Sequence, residues 1–452
     1  MELHLKLGQL RLKSSKRNDM KAKFKITFLI LALFLISCKD SKKPNFEYAP
    51  DMAHYLPYPS YSENPKLPLG RSALTPVEGT VPRGHKPFPY PNDIDGFERA
   101  GRELKNPFAS TQSVLAEGKR LYDIYCSVCH GEAGRGDGPV TKSEQFPKLT
   151  TMDLASEVVK NLSEGQIYFV ITHGFGLMNS YGGVLTPEER WKIVSYVRYL
   201  QNLSESQPVQ RDTLSKPKIS ASLDFYPGGK VGNRDMIIIA IAFLLVTAVI
   251  TLLRKNYLAL IFLTLIPVVI YLGVQFFNYF ASFGRQEGYQ PEQPIIFSHK
   301  VHAGEYKINC LYCHFAAEKG PVAGVPSVET CMNCHKFITE GKNTGEVEIK
   351  KIFEAFSNSE PIRWTKVNFL PAHVRFSHAQ HVKVGKIDCQ RCHGPVEQMD
   401  VMKQFYSLSM GWCIDCHRKA SIDLSNRYYD IKTNQKITVV DVNKLDCQTC
   451  HY

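Results

Sequence analysis

One pentapeptide, Cys-x-x-Cys-His, occurs six times along this 452-residue chain. The copies are Cys126, Cys129 and His130; Cys310, Cys313 and His314; Cys331, Cys334 and His335; Cys389, Cys392 and His393; Cys413, Cys416 and His417; and Cys447, Cys450 and His451. Cysteines three residues apart share one helical turn, so both sulfurs can reach the same planar macrocycle. This is the spacing of c-type haem attachment, in which two thioethers fix a porphyrin and the next imidazole becomes an axial iron ligand. Zinc ribbons gather Cys-x-x-Cys units into four-ligand sites, and thioredoxin-like centres use one such pair. Neither explains a histidine directly after all six. The motifs take twelve of the thirteen cysteines and leave Cys38. Six covalently bound haems c are the cofactors the sequence predicts, packed closely enough to conduct electrons.

Each iron also asks for a second axial ligand. Residues 281–452 hold five of the motifs and five further histidines, His299, His302, His373, His378 and His381. Four of these fall in two copies of one pattern, Phe297-Ser298-His299-Lys300-Val301-His302 and Phe376-Ser377-His378-Ala379-Gln380-His381. The copies predict an internal repeat and supply ligands for four irons. For the fifth, His373 and Met410 both stand. His4, His54 and His85 have no expected role.

The elements that position these residues differ along the chain. Residues 281–452 are too poor in long apolar runs to build an ordinary core, so porphyrins must fill it, with short helices and irregular loops around them. Residues 113–202 look more regular. Val114, Leu115, Leu121, Tyr122 and Tyr125 recur at helical spacing, with Gly118 where another helix could approach closely. Thr186-Pro187-Glu188-Glu189 is a capping box with proline at the first helical position, and Ile193, Val194, Val197 and Leu200 follow as an apolar stripe beside Trp191. Residues 38–112, rich in proline and tyrosine, read as an extended segment wrapping this domain or a partner, and 203–235 as a linker. The expected fold class is mainly α and irregular.

The remaining segments speak to location. Lys21, Lys23 and Lys25 precede the apolar run Ile26–Ile36, so residues 1–37 read as a lipoprotein signal peptide, with Met20 as the natural start. Cys38 would then be lipidated, making membrane lipid a partner. Met236–Leu253 and Tyr257–Phe280 are uncharged over 18 and 24 residues, each long enough for a membrane helix. A two-helix transmembrane hairpin at 236–280 is expected, placing the chain in the bacterial inner membrane with both haem-bearing regions facing the periplasm, where haem c is attached. Half of the formal charge of +12 belongs to residues 1–37, so the basic balance does not point to nucleic acid.

Residues 113–202 resemble a class I cytochrome c, in which two crossed helices enclose one haem. The resemblance implies Met178, in Gly176-Leu177-Met178-Asn179-Ser180-Tyr181, as the sixth ligand of the His130 iron, with Asn179 where relatives commonly carry proline. Met152 and His173 are the other candidates. In small multihaem cytochromes, the first histidine of a Phe-x-His-x-x-His unit serves the nearest haem and the second a neighbour. Residues 293–304, the run Gly394-Pro395-Val396-Glu397-Gln398-Met399 and Met410-Gly411-Trp412-Cys413 resemble the pentahaem subunit of Alternative Complex III, a bacterial quinol:cytochrome c or quinol:oxidase oxidoreductase. Residues 38–202, including Pro76-Val77-Glu78-Gly79-Thr80, resemble its monohaem lipoprotein subunit, here joined to the pentahaem part in one polypeptide.

That resemblance favours Met410 as the fifth ligand and leaves His373 to a haem propionate. It implies an electron-transfer subunit that is not catalytic alone. Quinol would be oxidised in integral quinol-binding subunits, and an iron–sulfur subunit would feed the five-haem region. Electrons would leave through the His130 haem to a soluble cytochrome c or a terminal oxidase. Two rivals are weaker. A multihaem reductase needs an iron with an open distal position, and the ligand count leaves none. A self-contained membrane-anchored quinol dehydrogenase would want an ionisable group in the apolar segments, which have none.

Overall fold

A computed structural model describes residues 40–206 and 257–451, apart from 48–53, 55–56, 59–61, 73, 75, 78, 82–86, 423–436 and 444–445. The chain divides into two units, Met1–Pro44 and Asn45–Tyr452. In the first, residues 40–44 make a turn in which Asp40 accepts hydrogen bonds from the backbone N–H groups of Lys42 and Lys43. All that follows lies in the second.

Four helices frame the single-motif region: α1 (Ile94–Glu103), α2 (Gln112–Tyr125), α3 (Glu164–His173) and α4 (Pro187–Ser206). Their starts are capped by side chains. Asp93 accepts from the Gly96 N–H at 2.7 Å, Ser163 and Gln166 form a reciprocal capping box, and so do Thr186 and Glu189. Such caps satisfy donors that the first helical turn leaves unpaired. Helices α2 and α4 cross at Gly118, where a Cβ would sit 2.2 Å from the Lys192 carbonyl oxygen. Only glycine allows that approach. Leu121, Tyr122 and Tyr125 then bury themselves with Ile193, Val194 and Val197 in one core.

The C-terminal region, 281–451, is irregular by comparison. Among the described residues β structure amounts to isolated bridges. Its longer helices are α6 (Val328–His335), α7 (Val347–Ser357) and α8 (Met410–Lys419), after α5 (Tyr257–Ala281). A small apolar cluster of Ile295, Val328, Met332, Ile349 and Ile352 ties α6 to α7. The extended N-terminal segment touches this region at several points, the Arg71 guanidinium donating to the Ser359 carbonyl among them. Asn45 bonds Gln286 and Ser282, while Glu63 pairs with Arg363 at 2.6 Å.

The structure corrects the transmembrane hairpin. Among the described residues no helix is long and apolar enough to cross a membrane. Residues 236–253, the first arm, lie outside the described residues. The second arm falls on α5, and absence of charge there is a weaker property than apolarity. Its second half carries Tyr271, Gly273, Gln275, Asn278 and Tyr279, which is not the unbroken run of about 20 apolar residues that a bilayer core demands. Integral placement in the inner membrane, derived from that hairpin, loses its support with it. The signal peptide and Cys38 lie outside the described residues.

Candidate haem-binding sites

Every motif sits on a helical turn. Cys126 and Cys389 precede the turns Ser127–His130 and Gln390–His393; Cys310–Cys313 and Cys447–Cys450 are turns themselves; Cys331–His335 ends α6 and Cys413–His417 lies inside α8. Both sulfurs of a pair therefore point from one face of one turn. None of the twelve is paired in a disulfide among the described residues.

The distal histidines stand opposite the motif histidines. Ring centroids are 6.1 Å apart for His302 and His335, 6.4 Å for His378 and His393, and 6.1 Å for His381 and His417. Two metal–nitrogen bonds of about 2.0 Å plus two imidazole radii of about 1.1 Å, from ring bonds near 1.33 Å, total about 6.2 Å. The three pairs thus stand as imidazoles on either side of one metal would. His373 lies against His451 at 5.3 Å, brought there by the Val374–His451 bridge and an Arg375 N–H to Cys450 carbonyl bond of 2.8 Å. Met410 begins α8 with 65% of its surface exposed. Burial, with the histidines around it, pushes the His299 pKa down to about 4.

Hydrogen bonds fix which nitrogen is free to ligate. A carbonyl oxygen only accepts, so a histidine Nδ1 beside one must carry the proton and leave Nε2 with its lone pair. That holds for His130 to Met152 (2.8 Å), His302 to Ser298 (2.8 Å), His314 to Gly324 (2.8 Å), His335 to Ile338 (2.9 Å), His378 to Pro321 (2.9 Å) and His381 to Ser377 (2.8 Å). Burial lowers the pKa of His130, His302, His314, His335, His381 and His417, so they stay neutral, the form that binds a metal. The Nδ1 atoms of His299 and His393 are buried without a protein partner among the described residues. Among those residues no three His, Cys, Asp or Glu side chains converge on a bare ion. Two facing nitrogens with two sulfurs beside them, as at the motifs of His335, His393 and His417, suit a metal whose other four positions a porphyrin fills.

Three family profiles match in succession. Residues 113–197 match cytochrome c oxidase, cbb3-type, subunit III; 281–361 match the class III cytochrome c family; 374–452 match cytochrome c7 and related cytochrome c. The menaquinone reductase multihaem cytochrome c subunit of Nitratidesulfovibrio vulgaris (strain Hildenborough) is 30% identical over 163 residues, 36% of this chain and 69% of that protein. The chain belongs to the multihaem cytochromes c. Its work is electron transfer, and its haem is covalently bound. A solved reducing HAO-like protein complex of Kuenenia stuttgartiensis shares 26% identity over 23% of this cytochrome and 54% of that chain, at a TM-score of 0.19.

In this multihaem cytochrome the loop after α3 presents Met178, half-buried against the core that also holds Cys126 and Cys129. Paired bonds of 2.9 and 3.0 Å between Phe175 and Met178 close the loop. At Gly174, φ is +82° and a Cβ would lie 2.4 Å from the Met178 carbonyl oxygen. The other two candidates are occupied elsewhere. Met152 gives its carbonyl to His130 Nδ1, on the side of the ring away from Nε2, and His173 spends its Nε2 on the Tyr90 carbonyl at 2.9 Å.

Sequence reasoning missed residues that act across the fold. Tyr312, inside the second motif of the chain, bonds Asn333 inside the third (2.9 Å) and meets the Tyr181 hydroxyl (3.3 Å). Arg120 of α2 bonds Glu318 at 2.9 Å, joining the two haem-bearing regions. Glu348 of α7 is buried and accepts from the Ile296 N–H at 2.7 Å, anchoring the segment that carries His299 and His302. A lone glutamate among Val347, Ile349 and Ile352 was the one available signal for it.

Proposed function

We propose that this chain conducts electrons through six covalently bound haems between a quinone-linked partner and a downstream acceptor, and does no bond chemistry itself. The observation that carries this reading is the set of three facing imidazole pairs, which supports protein ligands at both axial positions of those sites rather than positions open to substrate. The proposed pairs are His299 with His314, His302 with His335, His378 with His393, His381 with His417, His373 with His451, and Met178 with His130. His373 replaces the Met410 expected from the sequence, because its ring lies on His451 while Met410 is exposed. The motif cysteines named above would hold the vinyl carbons, and the bound haem would supply one-electron chemistry.

The proposed partners are an iron–sulfur subunit, integral quinol-binding subunits, and a soluble cytochrome c or terminal oxidase. A methionine ligand raises haem potential above bis-histidine ligation, which suits the His130 site as the exit. The relative named menaquinone reductase favours a second reading, in which the same series runs the other way and delivers electrons to menaquinone. The conducting role is tested by mixing the purified, fully haem-loaded chain with a soluble menaquinol analogue and oxidised cytochrome c. A conductor stays oxidised with the quinol alone, yet passes electrons to cytochrome c once reduced photochemically. Quinol oxidation by the isolated chain would replace this reading with a quinol dehydrogenase.

A further inference from the structure

We propose that the six sites form one unbranched series whose order differs from their order in the chain: His130, His335, His314, His393, His417, His451. This rests on the axial pairs proposed above. The first support is the repeat. In each Phe-x-His-x-x-His unit the phenyl ring stands edge-on to the first histidine (4.9 and 4.8 Å, both at 87°) and stacks on the second (4.3 Å at 26° and 4.6 Å at 27°). Each unit runs into a π-helical turn, Lys300–Glu305 or Gln380–Val384, an irregularity that recurs at functional sites. Two histidines fixed one turn apart must serve neighbouring irons. The units therefore join site 314 to 335, and site 393 to 417.

Other contacts order these couples. Backbone N–H and Nδ1–H of His378 both donate to the Pro321 carbonyl, at 3.2 and 2.9 Å, and the Ala379 N–H donates to Gly320 at 3.0 Å. The distal ligand of site 393 thus hangs from the loop behind His314. At the far end, the Val439 N–H donates to Ala420 at 3.1 Å and Ser421 bridges Thr438, tying α8 to the segment that leads into the last motif.

The junction with the single-haem region decides the other end. Asn179, beside Met178, donates from its amide to Asn333, which lies between Cys331 and Cys334. Lys336, just past His335, donates to the Leu177 carbonyl at 2.7 Å and to Asn179 Oδ1 at 3.0 Å. Both flanks of Met178 are held by one segment, Asn333 inside the motif 331–335 and Lys336 just after it. The motif nearest along the chain, 310–314, reaches this junction through Tyr312, and that tyrosine bonds Asn333. Asn333 and Lys336 are therefore positioning residues for the Met178 loop.

A haem already reduced carries one positive charge fewer and makes its neighbour harder to reduce, an effect that fades with distance. His302→Met and His299→Met each raise the potential of their own site, 335 and 314, while keeping an axial ligand. In the full chain, the midpoint of the His130 haem is followed through the shifted NMR signals of the Met178 side chain, assigned in the unsubstituted chain and so distinguished from those of the introduced methionine. The order predicts that His302→Met lowers this midpoint at least about threefold more than His299→Met does. An equal shift, or a larger one from His299→Met, overturns it. Asn333→Ala with Lys336→Met removes three hydrogen bonds to the Met178 loop and should tighten binding of added imidazole at the His130 haem by at least about tenfold, the factor that one of them could supply; unchanged binding overturns the positioning role. Haem counting and the methionine band of the unsubstituted chain test the site assignments separately, because the order is judged from the difference between variants.

Discussion

Replacing Glu348 with alanine probes how protein packing holds the distal ligands. Its carboxylate is buried; one oxygen accepts from the Ile296 N–H at 2.7 Å and the other from Lys351 Nζ at 2.7 Å. Ile296 immediately precedes Phe297 and the first histidine pair. A hydrogen bond from a buried backbone donor to a charged acceptor contributes about 1.5–3 kcal/mol. The Lys351 pair, half-exposed, adds less than about 0.5 kcal/mol. Glu348→Ala should therefore cost about 2–3 kcal/mol, and Glu348→Gln, which keeps an acceptor for Ile296, about 1 kcal/mol. Burial raises the Glu348 pKa, but the bonds from Lys351 and Ile296 outweigh it, so the group sits below the usual carboxylate range. A depressed folded pKa means that this stability is present above about pH 4.3 and lost as pH falls through the folded value. The gap between wild type and Glu348→Ala should close in acid. Denaturant unfolding gives the energies, and low-spin EPR intensity reports whether the irons that His299 and His302 are proposed to ligate keep both ligands. If Glu348→Ala lies within about 0.5 kcal/mol of wild type with full low-spin signal, the anchoring argument is wrong.

Three other substitutions test separate contacts. Gly118→Ala places a Cβ 2.2 Å from the Lys192 carbonyl; forcing α2 from α4 should cost about 1–3 kcal/mol, read as earlier loss of the methionine–iron band in denaturant. Gly174→Ala combines φ +82° with a 2.4 Å approach to the Met178 carbonyl, and should displace the thioether, weaken that band and lower the potential of one haem only. Arg120→Ala leaves Glu318, with 17% side-chain exposure, without its 2.9 Å partner. It should destabilise the chain by about 1–3 kcal/mol, whereas Lys383→Ala, 47% exposed and 3.6 Å from Glu117, should cost less than about 0.5 kcal/mol; parallel unfolding curves compare them.

Much of the site was legible because haem attachment is local chemistry. Cys-x-x-Cys-His writes two sulfurs and a nitrogen into five residues, and each copy lies on one helical turn. The Phe-x-His-x-x-His units were readable for the same reason, as were Gly118 and the Thr186 capping box. What escaped depends on tertiary register. His373 meets His451 through backbone pairing between segments far apart in sequence, which no spacing rule reports. Glu348, Asn333 and Lys336 are single polar residues whose meaning lies in distant partners. The membrane hairpin was misread because charge alone was counted, while Gln275, Asn278 and the tyrosines of α5 were not.

The account stands on the number of porphyrins stitched to the polypeptide. Intact mass of the purified, denatured chain, paired with its pyridine-haemochrome spectrum, measures that number directly. Six haems, each through two thioethers, is the result predicted from the six motifs; a chain carrying fewer than five would contradict it.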